Sequence, residues 1–120
     1  MITEAVLKYS PAGVPDRLFL KCTFTANYTT GGDTLNLNPS AFTDPNGEGI
    51  LGYPDSVPSV TPSVFSKNFT GAYSLSDAYV IPGATLGTFK IQLATGGVEL
   101  AAGAYPAGIL NQSVTLEVVF

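Results

Sequence analysis

Arg17-Leu18-Phe19-Leu20-Lys21-Cys22-Thr23-Phe24-Thr25-Ala26 is the stretch that decides the fold. Leu18, Leu20, Cys22, Phe24 and Ala26 alternate with Arg17, Phe19, Lys21, Thr23 and Thr25. A period of two over this length predicts a strand with one face in a core and the other largely in solvent. Its β-branched and aromatic residues add strand propensity. Next come Asn27-Tyr28-Thr29-Thr30-Gly31-Gly32-Asp33 and then Thr34-Leu35-Asn36-Leu37. Gly31 and Gly32 let the backbone reach positive φ, and Asp33 can take hydrogen bonds from nearby amides, so a fixed turn between two strands is expected here.

Upstream, residues 4–10 predict a short strand that pairs with this one as a hairpin across Pro11-Ala12-Gly13-Val14-Pro15-Asp16. Downstream, Asn38-Pro39-Ser40-Ala41-Phe42 predicts a single helical turn and Asp44-Pro45-Asn46-Gly47 a tight turn. Pro54, Pro58 and Pro62 exclude a helix interior or a central strand. Strands are expected at 64–70, 72–81 and 88–94, the last with Phe89, Ile91 and Leu93 on one face. Thr95-Gly96-Gly97 turns the chain into Val98-Glu99-Leu100, and 103–108 reads as a Pro/Gly loop. The final strand, 111–120, carries Val114, Leu116, Val118 and Phe120 on its core face. No segment has a sustained apolar stripe at helical spacing. The chain is expected to be all-β: one antiparallel β-sandwich of jelly-roll-like character over residues 1–120, with at most one or two short helical turns.

Composition narrows the function. The 120 residues suffice for one core. Charged residues make up only 12 % and net charge is −4, with the five basic residues scattered singly. Binding to nucleic acid needs clustered Lys and Arg, and so does an electrostatic hold on a membrane; neither is expected. A surface this poor in charge suits a protein that works against other protein. The absence of a basic, then apolar, N-terminal run predicts a chain that carries no signal peptide.

No histidine is present, which removes the usual general base near neutrality. The carboxylates form no facing pair in the sequence, and no enzymatic activity and no small-molecule substrate are expected. Asp44-Pro45-Asn46-Gly47-Glu48 lacks calcium-loop spacing, so neither a metal nor a cofactor is expected. Cys22, alone and on the core face, reads as a small hydrophobe. Loop tyrosines are large, stiff and amphipathic, and Tyr53, Tyr73 and Tyr105 are the expected oligomer contacts.

Phe24-Thr25-Ala26-Asn27-Tyr28-Thr29-Thr30-Gly31-Gly32-Asp33-Thr34-Leu35, with the alternating strand at 110–120, resembles small capsid decoration (cement) proteins of tailed bacteriophages. The family pattern often has Tyr-Pro-Thr-Gly-Gly; this chain has Thr29 in place of that proline. The likeness covers the first third and the last strand, and residues 38–88 carry no motif of the family. It implies a non-enzymatic virion protein, made in the host cytoplasm. Such proteins sit on the outer face of an icosahedral head, often as trimers, and bridge major capsid protein subunits. On that reading Met1, Ile2, Thr3 and Glu4 form the capsid-facing arm, adding a strand to an edge on a capsid subunit. A carbohydrate- or receptor-binding module of a phage tail or bacterial surface protein is the other class the sequence admits. It would show an exposed aromatic platform with Asn, Asp or Gln around it.

Overall fold

The computed structural model describes residues 1–10, 17–37, 61–85 and 87–119, with residues 6–10 described by backbone alone. The described chain is all-β and antiparallel, with a single 3-10 turn at Gly71–Tyr73. Strands β1 (Ile2–Ser10), β2 (Arg17–Phe24), β10 (Ser113–Val119) and β5 (Ser63–Lys67) form one sheet in the order β1-β2-β10-β5. Strands β4 (Asp33–Asn36), β7 (Thr88–Thr95) and β6 (Asp77–Pro82) form the second, with β8 (Val98–Glu99) folded back on β7. A two-residue pair, β3 (Asn27–Tyr28) with β9 (Gly103–Ala104), lies at one end.

The alternation of β2 is realised as read. Leu18, Leu20, Cys22 and Phe24 are fully buried, while Arg17 and Lys21 are exposed. Across the core stand Leu35 of β4 and Ile91 and Leu93 of β7, with Val114, Leu116 and Val118 of β10 beside β2. Each such side chain stabilises the fold by about 1.5–3 kcal/mol relative to leaving it in water. Phe24 also meets Phe69 at 5.8 Å and Tyr105 at 5.6 Å between ring centroids. Replacing Phe24 by Ala should cost about 3–5 kcal/mol, read as a lowered denaturant midpoint with unchanged slope.

Side chains join the rims of the two sheets on both sides. Glu4 of β1 accepts a hydrogen bond from the Asn36 amide of β4 at 2.9 Å. Lys67 of β5 donates to the Ser76 carbonyl at 2.8 Å and lies 3.5 Å from Asp77 of β6.

Several boundaries differ from the sequence reading. β2 ends at Phe24, and Ala26 is exposed with φ +62° rather than on the core face. The distant 111–112 segment causes this: Phe24 donates to the Gln112 carbonyl and accepts from the Asn111 amide, closing the ladder there. The expected strand at 72–81 begins only at Asp77, because Gly71 at φ +61° opens the 3-10 turn. β5 stops at Lys67, after which Phe69 dips into the core. The expected 103–108 loop contains β9. The helical turn at 38–42, the turn at 44–47 and Phe120 lie outside the described residues.

Candidate interaction end

The strand directions gather one set of connections at one end of the sandwich: 25–32, 68–76, 96–97 and 100–112. The turn that carries the family resemblance lies here, and it is locked from several sides. Gly31 and Gly32 have φ of +90° and +114°, and Gly32 donates to the Thr29 carbonyl at 2.9 Å. Asp33 is buried, and its Oδ1 accepts from the Thr29 amide at 3.0 Å. The Met1 amino group lies 3.1 Å from Asp33 Oδ2 and 3.1 Å from the Tyr105 hydroxyl. Glu99 Oε2 accepts from both the Gly31 amide and the Tyr28 hydroxyl at 2.7 Å.

Tyr28 performs an unusual structural task. β4 pairs β7 only as far as Ile91, and β8 pairs it from Ala94 onward, which leaves a gap in the ladder at Leu93. The Tyr28 hydroxyl fills that gap by accepting from the Leu93 amide at 3.2 Å. Burial pushes the phenol up to about 12, and the Glu99 carboxylate reinforces the shift, so the hydroxyl keeps its proton and can donate to Glu99.

Sequence reading and structure part company at the N-terminal segment. Met1, Ile2, Thr3 and Glu4 are not a projecting arm. Ile2 pairs with Phe24, Thr3 with Thr23 and Glu4 with Cys22 along the edge of the first sheet. Ile2 packs on the core, and Glu4 points inward beside it. Burial raises the Glu4 carboxyl to about 7, an effect the Asn36 amide partly offsets. Burial also pushes the Cys22 thiol well above its ordinary range, helped by nearby Glu4, which disfavours a nucleophilic thiolate.

The tyrosines separate. Tyr105 is 5 % exposed, so its expected place at an oligomer interface is corrected: it belongs to the chain's own core, edge-on to Phe24 and Tyr28. Tyr73 is half-buried in the 3-10 turn, packed on the core and close to Gly108. Tyr53 lies outside the described residues. The turn residues Gly31, Gly32 and Asp33 adopt the expected positive φ and side-chain hydrogen bonding.

What stands exposed here is not aromatic. Leu75 is 89 % and Val98 71 % exposed at this end, and on the outer face of the first sheet Phe65 is 65 % exposed against Phe19. Sequence pattern missed Leu75 because the false alternation through Gly71 assigned it to a strand. Among the described residues no group of three or more His, Cys, Asp or Glu could hold a metal ion. The chain matches no family model, no curated protein and no solved structure.

Proposed function

We propose that this protein is a non-enzymatic structural component of a tailed-phage particle. It decorates the outer surface of the icosahedral head and stabilises it by bridging major capsid protein subunits, as a homotrimer. The observation that carries this reading is a hydrogen-bonded all-β frame that leaves Phe65, Leu75 and Val98 65–89 % exposed. Large apolar side chains displayed on an ordered surface mark contact with other protein. The low charge of the chain and the resemblance carried by residues 24–35 and 110–120 support the same reading.

The test adds purified protein to heads assembled without it. The expected result is saturable decoration visible by cryo-EM and heads that withstand higher temperature. Absence of binding would reject the proposal. One observation favours a second reading, a carbohydrate-binding face: Tyr79 is 48 % exposed, hydrogen-bonded to Asp77 and paired across the ladder with Gln92. Glycan-array signal that Tyr79→Ala abolishes, with no binding to heads, would select it.

A further inference from the structure

We propose that the end bearing the Gly31-Gly32 turn is the face that docks on the capsid, with Leu75 and Val98 as its anchors. The partner is an uncharged protein surface with an apolar recess. This inference rests on the decoration reading above and moves the contact from the N-terminal segment to the opposite side of the same turn.

Leu75 and Val98 are distant in sequence but flank one buried polar contact. Ser76 Oγ and Thr95 Oγ1 are 2.8 Å apart; Leu75 precedes Ser76 in the chain, and Val98 is the ladder partner of Thr95. Neither anchor sits on a loose loop. The segment before Leu75 is held by Tyr73 and Ser76 amides donating to the Thr70 and Tyr73 carbonyls, at 3.2 and 3.0 Å. Thr70 donates in turn to the Gly108 carbonyl at 3.0 Å. Gly108 is packed so closely that an added Cβ would come within 2.3 Å of the Thr70 carbonyl oxygen. Anchors fixed in this way lose little freedom when a partner covers them.

Charge selects the partner. The described charged side chains at this end are already engaged: Asp33 with Thr29 and the Met1 amino group, Glu99 with Tyr28 and Gly31, Lys67 with Ser76 and Asp77. An anionic lipid surface requires basic residues near the inserted tips and would repel a chain of net charge −4. A second copy of this end fits no better. A two-fold interface needs knob and recess on the same patch, and here the ground between the knobs is filled by Ser76, 1 % exposed, and its bond to Thr95. The recess therefore belongs to a different protein, and the contact depends little on salt.

The experiment compares wild type, the double variant Leu75→Ser/Val98→Thr and the control Phe65→Ser for binding to heads assembled without the protein, at low and high salt. Vesicles of neutral and anionic lipid and sedimentation of the protein alone run in parallel. The expected result is an affinity about tenfold or more lower for the double variant. Its melting temperature should be unchanged, Phe65→Ser should bind like wild type, and high salt should release neither. If the double variant binds heads as wild type does, or if high salt strips wild type from them, the docking assignment is overturned and decoration stands. If wild type ignores heads, both fall. Vesicle flotation or self-association that depends on Leu75 and Val98 would overturn the assignment in favour of lipid or a second copy.

Discussion

Gly31 and Gly32 are adjacent and both have positive φ, yet they differ in what surrounds them. A Cβ on Gly31 would meet open space, whereas one on Gly32 would lie 3.0 Å from the Ile91 carbonyl oxygen and 3.1 Å from Lys90 Cβ. Gly31→Ala should therefore cost only the backbone term, about 1 kcal/mol. Gly32→Ala should cost clearly more, because β7 is held between β4 and β6 and cannot retreat. Equal melting temperatures for the two variants would contradict this. Tyr28→Phe is a sharper probe. It removes one oxygen and leaves the Leu93 amide without its acceptor, a loss of about 1–3 kcal/mol for an unsatisfied buried group. The Leu93 amide should then exchange its hydrogen faster than its neighbours Ile91 and Ala94, and unchanged exchange would refute the gap-filling role.

At the scale of elements, the seam between β1 and β4 depends on Glu4. Inward-pointing charge on an edge strand discourages pairing with foreign strands, and here it also joins the two sheets. The folded carboxyl titrates near 7, above its ordinary 4.5. Its contribution to stability is thus fully present below about 4.5 and is lost as pH rises through about 7. Thermal melts across that window should fall for wild type and fall less for Glu4→Gln; parallel slopes would exclude Glu4 as the cause. Elements were legible in the sequence where one face does one job, as in β2, β7 and β10. They were illegible where a remote segment decides. Ala26 continues the period of β2, but residues 111–112 close the ladder before it. The N-terminal residues carry strand propensity without naming a partner, and only the register with β2 shows that they are already paired. Tyr105 sits between alanine and proline like a surface tyrosine, and its burial depends on rings contributed by Phe24 and Tyr28. For the candidate end, sequence located the turn but not the exposed Leu75 and Val98 beside it.

At the scale of the whole molecule, β10 lies between β2 and β5, so the first sheet has no continuous middle until residues 113–119 arrive. Pairing across such sequence distance makes for slow folding, on the order of milliseconds to seconds. Refolding should fall in that range, and a microsecond phase carrying the full amplitude would be inconsistent with this topology. The same placement bears on synthesis. A ribosome adds roughly 5–20 residues per second, so β2 emerges several seconds before the strand that will cover its second edge. During that interval Leu18, Leu20 and Phe24 are bare and the edge of β2 is open to any extended chain nearby. Nascent chains stalled short of Ser113 should be cut readily by protease, and the released chain should resist it, which makes the finishing of translation the event that commits this protein to its fold.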